Sequence, residues 1–210
     1  FDIHKMQQRA PKFISTVTDI INSGYDVDYI SDNYLLSTHA EKGHVVTSGG
    51  SDYKAIIVPS VNFIPMKTLQ HLADLAKQGA TVIFMDNYPN SIPGFLNFQK
   101  QNAELIKYLQ ANLPKSDFSQ TQIHKIGLGN IITGSNYAEM LEKCQIQPEA
   151  LRTQFGLHYI RRVNDEGHHY FVSALKGDDT NAWIPLSVKA GSVLFFDPLD
   201  GKVGVARSRE

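Results

Sequence analysis

Two short apolar runs, separated by an amphipathic stretch, constrain this chain more than any other feature. Tyr53–Pro59 reads Tyr-Lys-Ala-Ile-Ile-Val-Pro, and Thr81–Met85 reads Thr-Val-Ile-Phe-Met. Apolar runs of this kind mark strands covered on both faces, as in parallel sheets. Between them, Pro65–Gln78 sets Leu69, Leu72, Ala73 and Ala76 on one helical face, and Gly79 supplies a C-terminal stop. A strand, a helix and a second strand in that order predict a parallel crossover.

The same alternation runs through the first two-thirds of the chain. Pro11–Asn22 is expected to be a helix, Tyr25–Ile30 a strand, Glu41–Gly50 a surface hairpin or loop, and Asn97–Leu109 a helix. Short strands are expected at Ile123–Ile126 and Ile131–Thr133. A last helix is expected over Asn136–Cys144, with Ser135 or Asn136 as its N-cap. The implied class is α/β, a doubly wound parallel sheet over residues 1–155. Such a domain opens on a strand that becomes central. Phe1-Asp2-Ile3-His4 is too short and polar for that, so the first strand is expected upstream of residue 1. From Gly156 the pattern changes. Strands are expected at Leu157–Val163, His168–Leu175, Ala182–Val188, Ser192–Phe196 and Lys202–Arg207. Turns at Asn164–Gly167 and Asp197–Gly201 join some of them. Residues 156–210 therefore read as a small antiparallel β domain, the start of a β-sandwich.

Bulk properties exclude some classes. The formal net charge is -1 and Lys and Arg form no long run, which argues against nucleic acid as a partner. No apolar stretch reaches the roughly 20 residues that a membrane span needs. The single cysteine, Cys144, excludes an intrachain disulfide.

Candidate chemistry gathers at the carboxyl ends of the expected strands, where doubly wound folds bind ligands. Asp32-Asn33-Tyr34, Val61-Asn62 and Asp86-Asn87-Tyr88 fall there. Asp32, Asn33, Asp86, Asn87 and Tyr88 are the candidate binding residues; no catalytic or metal-ligating residue is assigned. Asp26 and Asp28 would share one face of the Tyr25–Ile30 strand, an arrangement that suits a charged edge strand. Cys144 ends a helix rather than sitting on a strand-to-helix elbow, so a structural thiol is expected. Gly127-Leu128-Gly129 with Gly134 lacks the spacing of a dinucleotide fingerprint and reads as a turn between two strands. His168 and His169 should point to opposite faces of a strand, and Trp183 should be a core residue.

The runs Gly24–Asp32, Tyr53–Pro59 and Gly79–Phe84 resemble the middle region of glycoside hydrolase family 106, the α-L-rhamnosidases. Tyr159–Arg162, His169–Ser173 and Phe196–Lys202 resemble the segment that follows it. The resemblance covers nearly the whole chain in the right order. It implies a large, multi-domain, secreted or periplasmic parent enzyme acting on plant polysaccharides or glycosides. An upstream barrel of that polypeptide would carry the catalytic carboxylates, with calcium nearby. The present region would then be a flavodoxin- or class I amidotransferase-like accessory domain, with no cofactor of its own and a rhamnose-containing glycan at most at its rim. A free-standing module that binds a ligand or a protein, and an independent hydrolase using Asp32 and Asp86, are the rival readings.

Overall fold

The computed structural model describes residues 11–175 and 180–209. Phe1–His4, expected to be no central strand, lies outside the described residues. The chain divides into two compact units. One holds the residues up to Ile21 together with Asp26–Gln147; the other holds Asn22–Tyr25 and the residues from Pro148 onward.

The first unit is built on a four-stranded sheet of order β4-β5-β7-β6, where β4 is Ile56–Val58, β5 Thr81–Met85, β6 Gln122–Ile126 and β7 Gly129–Gly134. β4 runs parallel to β5, and β5 parallel to β7, as the apolar runs predict. β6 runs antiparallel to β7, so the sheet is mixed rather than wholly parallel. The reason is the Gly127-Leu128 turn, which folds β6 directly back along β7 and leaves no room for a crossover. Helix α3 (Met66–Gln78) connects β4 to β5, as expected, and packs on β5 and β7. Its Leu69, Leu72, Leu75 and Ala76 join Val82, Phe84 and Ile131 in the core, all at most 1% exposed. Helix α4 (Phe98–Asn112) contributes Leu105 to the same core. Helix α5 (Tyr137–Lys143) follows β7. The Asn136 side chain caps it, accepting from the backbone N–H groups of Ala138 and Glu139 at 3.1 and 3.2 Å.

The N-terminal part departs from expectation. Helix α1 (Pro11–Asn22) is present, but Tyr25–Ile30 is no strand. Its alternation suits a half-buried strand, yet no ladder partner forms for it among the described residues, and alternation cannot make a strand without one. Asp26 and Asp28 therefore share no strand face. Asp28 instead accepts a hydrogen bond from the Tyr53 hydroxyl at 2.7 Å, which raises the phenol's pKa. Asp32 opens a one-turn helix, α2 (Asp32–Leu35). The expected hairpin becomes a three-stranded antiparallel sheet of β1 (His39–Glu41), β2 (His44–Val46) and β3 (Asp52–Tyr53).

In the second unit, a short helix, α6 (Ala150–Phe155), was not legible in the sequence. Two antiparallel hairpins follow: β8 (His158–Asn164) with β9 (Gly167–Ser173), and β10 (Leu194–Phe196) with β11 (Val203–Val205). The turns lie where expected. Asn164 Oδ1 accepts from the amides of Glu166 and Gly167, and Asp197 Oδ1 from that of Leu199. Residues 182–188 form no strand, and Trp183, expected in the core, is 49% exposed with the Arg209 guanidinium 4.6 Å over its ring.

Gly127 and Gly129 fix the register of helix on sheet. A Cβ on Gly129 would stand 2.2 Å from the Ala80 carbonyl oxygen and 2.3 Å from that of Ala76. Both obstacles are backbone and cannot rotate away. Gly129→Ala is expected to destabilise the fold by more than about 2 kcal/mol, whereas Gly191→Ala, with open space around it, stays within roughly 0.5 kcal/mol. Urea denaturation of the two variants measures the difference.

Candidate functional site

The loops after β4 and β5 are tied to each other. Asn87 carries the tie: its Oδ1 accepts from Ser60 Oγ at 2.8 Å, and its Nδ2 donates to the carbonyls of Val61 and Tyr88 at 3.0 and 2.9 Å. Further along, the amides of Asn90 and Ser91 donate to the Asn62 carbonyl, and the Ile64 amide to that of Ser91. Asn87 is therefore a half-buried clamp with both ends of its amide in use. Tyr88 turns inward. Its ring meets Phe84 and Phe118 edge-on at 5.0 Å each, and its hydroxyl donates to the Pro114 carbonyl at 2.9 Å. Burial pushes its phenol far up.

The carboxylates behave differently. Asp86 is exposed, in the left-handed region at φ 63°, with its amide donating to the Gly134 carbonyl at 2.9 Å. That bond ties the carboxyl end of β5 to that of β7. Asp32 is also exposed, and its Oδ1 accepts from Thr68 Oγ1 in the first turn of α3 at 2.7 Å. The negative charge lies beside the amide end of α3, where the helix dipole favours it. Asn33 is exposed on the same one-turn helix. The structure thus joins Asp86, Asn87 and Tyr88 in one loop and carries Asp32 and Asn33 on α2, with Asp32 bonded to the first turn of α3.

Cys144 Sγ donates to the Met140 carbonyl, and burial pushes its thiol up to about 11, an environment that disfavours the thiolate. Among the described residues, no three His, Cys, Asp or Glu side chains are grouped so as to hold a metal ion. Among the same residues no helix is long and apolar enough to cross a membrane.

Sequence reasoning missed the most buried carboxylate among the described residues. Glu149, 1% exposed, lies just ahead of α6 in the second unit. Its Oε1 accepts from Arg161 Nη1 at 2.9 Å and from the Tyr170 hydroxyl at 2.7 Å, and its Oε2 from the Ser187 amide at 3.0 Å. Burial first, and the Glu149 hydrogen bond next, push the Tyr170 phenol up to about 12. The only sequence signal was the alternation of β8 and β9, which puts Arg161 and Tyr170 opposite one another in register. With its lone pairs engaged and its surface covered, this carboxylate is built to hold structure. It is not placed to meet a substrate.

Comparison with known proteins places these features. The model of the alpha-L-rhamnosidase family, glycoside hydrolase 106, matches residues 4–208. The chain belongs to that family. A curated protein of Formosa agariphila, named "Putative beta-glucuronidase", is 26% identical over 168 residues, covering 79% of this chain and 13% of that protein. The structure of the rhamnosidase from Novosphingobium sp. PP1Y aligns with a TM-score of 0.51 at 19% identity, over 69% of this chain and 14% of that one. The similarity in structure supports a shared fold. This family member therefore spans about one-seventh of the length of these relatives.

The Glu149 knot generates a clear expectation. Glu149→Leu removes the acceptor that Arg161, the Tyr170 hydroxyl and the Ser187 amide share, at a cost of about 3 kcal/mol. Adding Arg161→Met to that variant should recover part of the loss, because the guanidinium that has lost its carboxylate goes with it. Equilibrium denaturation of the single and double variants checks both signs.

Proposed function

We propose that this chain is an accessory, non-catalytic region of a large α-L-rhamnosidase-like glycoside hydrolase acting on plant polysaccharides or glycosides. The observation that carries the reading is the match to the rhamnosidase family along a chain that spans only 13–14% of its long relatives. The disposition of carboxylates agrees with it. Glycoside hydrolysis needs two carboxyls facing each other across a bond, about 5–9.5 Å apart. Here Asp32 is engaged by Thr68 and Glu149 is enclosed by three donors.

In this reading the chemistry, and the calcium associated with it, belong to an upstream barrel of the same polypeptide. The parent works in the periplasm or outside the cell. The first unit would be a doubly wound, flavodoxin-like domain whose first strand comes from outside this chain. Two facts support that detail. β4 stands at the end of the four-stranded sheet, and Tyr25–Ile30, patterned as a strand, is in no ladder among the described residues. A missing central strand would account for both. A rhamnose-containing glycan would reach the unit only at the rim formed by Asp32, Asn33 and Asp86.

The test is direct. Purified residues 1–210 should give no turnover of nitrophenyl α-L-rhamnoside above the buffer rate. Turnover that scales with protein concentration would overturn the reading and make the chain an independent hydrolase.

A further inference from the structure

The rim that carries Asn87 also carries an apolar knob. The segment after Ile92 turns tightly at Gly94 (φ 92°) and again at Asn97, a left-handed residue at φ 49°, before entering α4. This presents Phe95 at 97% exposure and Leu96 at 79%, with Phe63 from the neighbouring loop at 62%. Phe63, Ile92, Pro93, Phe95 and Phe98 line a depression of about 490 Å³.

The knob is held firmly. The Ile92 amide donates to Asn102 Oδ1 at 3.0 Å, and Gln101 Nε2 donates to the Leu96 carbonyl at 2.9 Å. Phe63 and Ser91 form a parallel bridge between the two loops. A pre-set loop loses little freedom when it binds, so its exposed rings are poised for contact. The loops are also uncharged: no Asp, Glu, Lys or Arg occurs from Val58 to Met66 or from Tyr88 to Gln99. Depletion of charge with exposed aromatics is the signature of the core of a protein interface.

We infer that the Phe63–Phe95–Leu96 knob is a docking surface for an uncharged, apolar face on another domain of the same long polypeptide. The inference rests on the proposed accessory role. The occupant follows from length: relatives about seven times as long carry the equivalent region together with much further chain. In the isolated chain the knob faces water; in the parent it would be covered.

Hydrogen exchange on the isolated chain and on the full-length gene product tests this. In the full-length protein, amides from Phe95 to Gln99 should exchange at least about tenfold more slowly than in the isolated chain. The double substitution Phe63→Ser, Phe95→Ser should abolish that protection. It should leave the melting temperature of the isolated chain unchanged, because both side chains are exposed there. Equal exchange in the two contexts would overturn the inference. So would slowing of the isolated chain by a rhamno-oligosaccharide, which would make the knob a glycan platform. Rhamnosidase assay of the same full-length sample separates the two claims. Activity without loop protection refutes the docking surface alone, and protection without activity refutes the proposed function alone.

Discussion

The fold of the first unit depends on how closely one turn approaches the end of one helix. The Gly127-Leu128-Gly129 turn lies against the C-terminal end of α3 and the link from it to β5. The Leu128 amide donates to the Lys77 carbonyl at 2.9 Å, and the Asn130 amide to that of Ala80 at 3.0 Å. Helix ends leave carbonyls without partners, and here the β6–β7 hairpin supplies a donor for that of Lys77. Only residues without a Cβ allow the approach, since one on Gly127 would meet the Lys77 carbonyl oxygen at 2.4 Å. The contact sets α3 across β5 and β7 and turns β6 back along the sheet edge. Everything at the carboxyl rim of the strands inherits its position from that arrangement.

Much of this unit was legible because its signals are local. The apolar runs of β4 and β5, the stripe on α3 and the cap at Asn136 each declare themselves within a few residues. What depended on distant partners was less legible. Tyr25–Ile30 has the alternation of a strand, but ladder formation is decided by what lies alongside it. Asn87 and Tyr88 looked like rim residues because they follow a strand. Their side chains are drawn inward by Ser60, Val61 and Pro114, which sequence order does not bring near. Glu149 was invisible for the same reason, its donors coming from positions 161, 170 and 187. Asp32, at the start of α2, and Asp86, just after β5, are both exposed.

The two units divide the polar and apolar work in a way that suits a region inside a larger protein. Buried polar groups are satisfied: no buried side-chain nitrogen or oxygen lacks a partner among the described residues. Large apolar side chains nonetheless stay in water, on the knob of the first unit and along β10 and β11, where Leu194, Phe196, Val203 and Val205 share one hairpin face. Isolated two-stranded hairpins are marginal in water, and such a face normally packs on something. Membership of a rhamnosidase family, coverage of about one-seventh of long relatives, and well-satisfied polar interiors beneath exposed apolar surfaces are the observations on which the proposed scaffold role rests.

The central claim, that this region supports the chemistry without performing it, is tested most directly by the turnover number of the full-length gene product carrying Asp32→Asn and Asp86→Asn together. Loss of a catalytic carboxylate costs several kcal/mol of transition-state stabilisation. The account predicts that kcat for a nitrophenyl rhamnoside stays within about threefold of wild type, with any change confined to KM. A fall in kcat of about a thousandfold or more, in protein that melts at the wild-type temperature, would contradict it.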